Sequence, residues 1–272
     1  MSDLFKATDT SVTYWEKELT RSRFINIALT ADFETTPEFI RRVIPPYLEL
    51  PRQGNYCSMM IENYRSTVNG DFNSSLLNVA CHHPAFEEDV RYMLVLYINN
   101  TMANVMGREV WGEPKKEAVT SLHPNDDNVY GFIDRKGRRI IEIEATLGPD
   151  VGSANLEYYS TQLKCAPTPA VPELMAQPAV SFTTHIHMEQ RTCRHMVSGT
   201  LKMNGSEWDP VDRVPIVKLM DITLAEQRWT NSVCHEMELP GDRSLYYPYV
   251  FGTCYERFEN YRRPAKVSLE GL

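Results

Sequence analysis

Arg91-Tyr92-Met93-Leu94-Val95-Leu96-Tyr97-Ile98, and beyond it Gly107-Arg108-Glu109-Val110-Trp111-Gly112-Glu113-Pro114-Lys115-Lys116, is the stretch on which the reading of this chain turns. The first segment is a run of apolar and aromatic residues suited to a buried strand. Asn99-Asn100 ends it, and Thr101 to Met106 fits one or two helical turns closed by Gly107. A Trp-Gly-x-Pro turn then delivers two lysines. Adjacent lysines are ordinarily a solvated surface. Here they follow a buried-type strand and an aromatic turn, an environment that strips solvent from an amine. Lost solvation disfavours the charged form and lowers a lysine pKa. A neutral amine is the form that attacks a carbonyl carbon.

Outward from this stretch the chain reads as strands with a few short helices. Thr36-Pro37-Glu38 is a helix start, with a Thr cap and proline at the first helical position, and Pro45-Pro46 stops it. Val129–Ile133 and Ile140–Thr146 flank Asp134-Arg135-Lys136-Gly137 and predict a β-hairpin. In its second strand Ile141, Ile143 and Ala145 alternate with Glu142 and Glu144, so one face is polar. Ala179–Met188 and His195–Met203 read as two further strands joined by a polar turn. The proline-rich segment Cys165–Pro178 reads as a loop or crossover. Many strands without a βαβ rhythm predict an α+β, β-rich fold with an antiparallel, barrel-like sheet. We read residues 1–272 as one domain.

Composition bounds the function. The 272 residues are 42% hydrophobic and 24% charged, ordinary for a globular chain. A net charge of −8 argues against binding a phosphate backbone, so no nucleic-acid partner is expected. The basic cluster Arg135–Arg139 reads as a solvated hairpin turn. The six cysteines include no Cys-x-x-Cys pair and fall in apolar stretches, so they are expected as buried free thiols. No apolar run is long enough to cross a membrane as a helix, and the N-terminus lacks the pattern of a secretory signal. No membrane partner is expected, and a cytoplasmic location follows as the default.

Gly107-Arg108-Glu109, Trp111-Gly112 and Pro114-Lys115-Lys116 together resemble the signature of the acetoacetate decarboxylase superfamily. The resemblance extends to the preceding strand and to Arg41-Arg42-Val43-Ile44-Pro45-Pro46-Tyr47-Leu48-Glu49, and is diffuse downstream. It implies a cofactor-free lyase in which Lys115 forms a Schiff base with a keto substrate, flanked by Lys116. This family also illustrates a lysine activated by desolvation or by a neighbouring cation. Arg108 and Glu109 would support the site, and Trp111 would wall the lysine pocket or pack the core. The resemblance implies the barrel-like fold and a homo-oligomer as well. The family supplies an N-terminal arginine, near which stand Arg21 and Arg23, and two glutamates. Glu62 matches one. The other falls in Phe72–Leu77, where Ser74 or Ser75 stands instead. That loss points to a β-keto acid other than, or larger than, acetoacetate. It leaves open an aldolase-dehydratase reaction, and a ligand-binding scaffold without catalysis.

Whether Lys116 shares the pocket depends on the backbone. In a regular strand the two lysines point to opposite faces; a bend at Pro114 brings both to one site. Tyr246-Tyr247-Pro248-Tyr249 offers candidate proton donors, more readily read as core. His185-Ile186-His187 places two imidazoles on one strand face, but Glu189 follows too closely for a cupin-type set, and no metal is assigned. Cys81-His82-His83 reads as a loop before Pro84 rather than a nucleophile pair. No P-loop, Gly-x-Gly-x-x-Gly or Gly-x-Ser-x-Gly pattern is present.

Overall fold

The structure, a computed structural model, describes residues 6–20, 23–66, 69–165 and 179–253. Its elements in chain order are α1 (Asp9–Thr20), β1 (Arg23–Glu34), α2 (Pro37–Val43), β2 (Tyr56–Ser66), β3 (Phe72–His82), β4 (Asp89–Ile98) and α3 (Thr101–Met106). There follow β5 (Lys115–Glu117), β6 (Val119–Asn125), β7 (Asn128–Arg135), β8 (Arg138–Asp150), β9 (Ala154–Lys164), β10 (Val180–Met203), β11 (Lys218–Glu238) and α4 (Tyr247–Thr253).

The strands pair in the order β11-β1-β2-β3-β4-β9-β10, and β10 pairs again with β11. Seven strands therefore close on themselves as a barrel, which leaves no free edge in that ring. Strands β8, β7 and β6 extend from β10 as a flanking sheet. The expected β-rich, barrel-like class is the one observed. Two pairings are parallel, β4 with β9 and β4 with β5. Between β4 and β5 the helical turns of α3 bring the chain back alongside Leu96, so β5 runs parallel to the last residues of β4.

Local expectations map onto this frame with instructive exceptions. Thr36 caps α2 by accepting from the Phe39 N–H at 3.2 Å, and the helix ends before Pro45. The β7–β8 hairpin turns through Lys136 and Gly137 at φ of 50° and 75°, the left-handed pair a tight hairpin requires. The basic cluster at this turn is not uniformly solvated: Arg135 is 5% exposed and pairs with the buried Asp209. The two strands expected over Ala179–Met203 are one strand, β10, whose register shifts near Arg191 and Arg194 let it pass from the barrel to the flanking sheet. Gly107 does not end α3. The helix widens into a π turn over Gly107–Trp111, and Gly112 closes it. Cys57, Cys81 and Cys193 are buried free thiols, but Cys234 is exposed. The Pro-rich loop from residue 166 to 178, Arg21 and Cys254 lie outside the described residues.

Alternation along the strands separates two interiors. Leu29, Phe33, Met59, Ile61, Leu77 and Val79 face outward from the barrel. They form the main core with Ile133, Ile141 and Ile143 of the flanking sheet and Ile40 of α2. The opposite set, Tyr64, Phe72, Leu96 and Phe24, faces inward with Trp229 and Ala103 of α3. Among the described residues no helix is long and apolar enough to cross a membrane.

Candidate active site

All seven barrel strands contribute to a cavity of about 100 Å³ at the barrel interior. Its walls are apolar and aromatic, including Met60, Phe72, Trp111, Tyr158, Ile186 and Trp229. Its ionisable groups are Glu62, Tyr64, Glu113, Lys115 and Tyr158, and Asn69, Ser74, Asn78, Ser160 and Asn231 add neutral polar side chains. Lys115 is its sole lysine or arginine among the described residues.

The backbone puts Lys115 there. Strand β5 pairs Lys115 with Leu96 and Lys116 with Tyr97, so the lysines take the faces of those two residues. Leu96 belongs to the inner cluster and Tyr97 to the outer core. A bulge at Leu94 lets Met93 and Leu96 both face inward. Lys115 is 9% exposed. Its Nζ donates to the Ala103 carbonyl at 3.0 Å and meets Glu113 Oε2 at 2.5 Å. Gly107 makes this possible, because a Cβ there would overlap both the Lys115 amine and the Glu113 carboxylate. Gly112 has φ +71° and lies against the Lys164 backbone, so the closing turn also requires glycine.

Lys116 does not enter this cavity. It crosses to the outer face and meets Asp209 Oδ1 at 3.1 Å. Asp209 also takes Arg135 at 2.6 Å and the Tyr97 hydroxyl at 3.2 Å. This buried group has the partners that a buried carboxylate needs and none of the cavity's contents.

Glu62, the candidate carboxyl, lines the same cavity as Lys115. It is 3% exposed and accepts from the Asn26 amide at 2.7 Å. Burial pushes its carboxyl up to about 7, partly offset by hydrogen bonds from Tyr64 and Asn26. It is therefore a carboxyl that holds a proton near neutrality. Glu62 pairs across the ladder with Ser74. Of the two serines, Ser74 and not Ser75 lines the cavity, beside Glu62. Arg23 is exposed at the start of β1, and Asn26 supplies the strand's polar contact to Glu62.

The supporting residues divide. Trp111 lines the cavity. Glu109 is exposed, and Arg108 lines a groove beside Lys116 on the other side. Tyr246 donates to the Pro240 carbonyl at 2.8 Å within a separate apolar cluster, and Tyr249 also lies away from Lys115. The cavity's tyrosines are instead Tyr64 and Tyr158. Burial raises both hydroxyls, with Glu62 adding to the shift. Cys81 donates its thiol to the Val90 carbonyl at 3.6 Å, and burial holds it protonated. Sequence reading missed Glu113 and Tyr64. Glu113 lay inside the quoted motif, two residues before Lys115. Tyr64 had a usable signal, two residues beyond Glu62 in a strand and hence on its face.

A family model described as acetoacetate decarboxylase matches residues 10–239. The chain belongs to the acetoacetate decarboxylase family. A 102-residue stretch, 38% of this chain, is 30% identical to the acetoacetate decarboxylase of Burkholderia vietnamiensis. That match spans 40% of the relative's length. In the solved structures, the acetoacetate decarboxylase of Legionella pneumophila superposes with a TM-score of 0.68 at 17% identity, covering 80% of this chain and 88% of that one. The enduracididine biosynthesis enzyme MppR, in complex with pyruvate, gives 0.64 at 13% identity over 80% and 89%. At these identities the likeness is one of fold. Lys115 and Glu62, the two candidates that the sequence resemblance pointed to, line one cavity in that fold.

Proposed function

We propose that this protein is a cofactor-free lyase that captures a short β-keto acid as a Schiff base on Lys115 and releases its carboxylate as CO2. The observation that carries the reading is the Lys115 amine, buried in the barrel interior 2.5 Å from Glu113, with the raised Glu62 carboxyl in the same cavity.

Each residue has a defined task. Glu113 takes the proton that Lys115 must lose before its lone pair attacks the substrate ketone. Loss of water from the adduct gives an iminium. Its cationic nitrogen accepts the electron pair of the breaking carbon–carbon bond as CO2 leaves, giving an enamine. The Glu62 carboxyl, protonated near neutrality, returns a proton to that carbon. Water then frees the ketone and the amine. The apolar walls favour loss of CO2, because a carboxylate is poorly solvated there and CO2 needs no solvation.

Size supports a substrate of a few carbons. The cavity holds about 100 Å³, whereas an apolar cavity of about 150 Å³ is enough for benzene. A short acid fits better than the larger one anticipated from the missing glutamate. A second reading is aldol condensation and dehydration through the same enamine. It is favoured by Ser74 and by the lack of an arginine on the described cavity wall to hold a carboxylate. The reading also includes cytoplasmic assembly as a homo-oligomer, which size-exclusion chromatography reads out.

Borohydride reduction in the presence of short keto acids tests this. An adduct on Lys115, with the mass of the ketone product, supports decarboxylation. A condensed adduct formed only with an added aldehyde supports the second reading. Folded protein that gives no adduct with any keto acid is a binding scaffold, and the proposal is then wrong.

A further inference from the structure

The outer face of the barrel wall carries a set of residues that the Lys115 chemistry does not use. Strand alternation turns Ile186 and Met188 toward the cavity and His185 and His187 away from it. On β9 the same alternation turns Tyr158 inward, while Glu157 sits directly opposite His187 in the ladder. His185 Nε2 lies 3.4 Å from Glu157 Oε2, and His187 Nδ1 lies 3.0 Å from Glu157 Oε1. One donor atom from each of the three falls within 4.8 Å of the others.

The scaffold under these side chains is firm. Strand β10 is paired on both sides here, with β9 and with β11, so the three Cα positions are fixed by ladder hydrogen bonds. Tyr159 stacks on the His185 ring at 4.8 Å and 24°, and the two imidazole centroids are 4.1 Å apart. Donors about 2.0–2.2 Å from a tetrahedral ion lie roughly 3.4 Å from one another; the two histidine–carboxylate spacings are already close to this, and the three-donor set, within 4.8 Å, needs a small side-chain adjustment to close on an ion. Two imidazoles and one carboxylate suit a borderline first-row cation, and suit calcium or magnesium poorly.

We propose that Glu157, His185 and His187 form a binding site for a divalent cation of the zinc class, completed by water. The ion bridges β9 and β10 from outside, pinning the wall whose other face lines the Lys115 cavity. It is a site distinct from that cavity. Sequence showed the two histidines, but only the β9–β10 register supplies the third ligand.

The test is a titration of the full chain, stripped with chelator, with Zn2+ against a chromophoric indicator, repeated with Co2+ read by visible absorption. The expected result is one equivalent per chain with micromolar or tighter affinity, and a rise in Tm on adding Zn2+. His185→Ala and His187→Ala should each weaken binding at least about tenfold and abolish the Tm rise. The His187 side chain is 50% exposed and the His185 side chain 23%, and both lie on the outer face away from the cavity, so these variants are expected to fold as the parent does. Cys234→Ser controls for capture by the exposed thiol and should bind as the parent does. Binding that survives both histidine changes, binding that disappears with Cys234→Ser, or no uptake at micromolar Zn2+ would each overturn the site. In those cases the trio is a hydrogen-bonded polar patch.

Discussion

Lys115 and Lys116 are adjacent in the chain, both are buried, and they live in different chemical regions. Lys115 faces a cavity with open volume, a carboxylate partner that can receive a proton, and a second carboxyl raised to about 7. Lys116 faces a site where Asp209 already satisfies two cations and a phenol. A larger space, about 420 Å³, opens beside Lys116, Arg42, Arg213 and Tyr249. Neither burial nor cavity size therefore distinguishes the lysine proposed to form the Schiff base. The distinction is that one amine is held among groups that can exchange protons with it, and the other is locked into an ion network.

Four experiments would break or sharpen that contrast. Lys115→Met should abolish borohydride trapping and lower turnover by more than roughly 10³-fold, measured beside a Tm near the parent's. Comparable trapping in this variant would move the chemistry to another amine. Gly107→Ala should displace the Lys115 and Glu113 side chains by steric overlap. Trapping is expected to slow by about 10²-fold, since misplacement by an ångström costs that much. Unchanged trapping would show that the α3–π turn yields easily.

Glu62→Gln should lower turnover by about 10²-fold while leaving trapping on Lys115 in place. In the parent the protonated form is lost as pH rises through about 7, so turnover limited by that proton should fall above it. The variant should lack that inflection. The stability effect has a matching sign. Between pH 4.5 and 7 the folded state binds more protons than the unfolded one, so stability falls as pH rises across this window. The full span is about 3 kcal/mol, and Glu62→Gln should flatten it in urea melts. Lys116→Met is the smallest change for chemistry. It should leave trapping within a few-fold and cost about 3 kcal/mol of stability by removing one partner from a buried ion group. A lost adduct on folded Lys116→Met protein would mean that its charge reaches the cavity after all.

The sequence went furthest where local rules suffice. The Thr36 cap, the Lys136-Gly137 turn, the β4 run and the alternation in β8 each depend on neighbours within a few residues. The reading failed where distant partners decide. Arg135 looked like surface until Asp209 was found beneath it. The break expected inside β10 is bridged because the chain serves two sheets in succession. Gly107 is needed to make room for Lys115 rather than to stop a helix.

By itself the sequence determined the strand-rich class and the family motif with its lysine pair, because motif spacing and side-chain period are local properties of the chain. Only the tertiary structure decided what each lysine meets. The closure of seven strands brought Glu62, Tyr64 and Tyr158 to one interior, and the β4–β5 register sent Lys116 to the other face. Desolvation and proton exchange depend on distances across the fold. Sequence order does not contain those distances until the sheet closes.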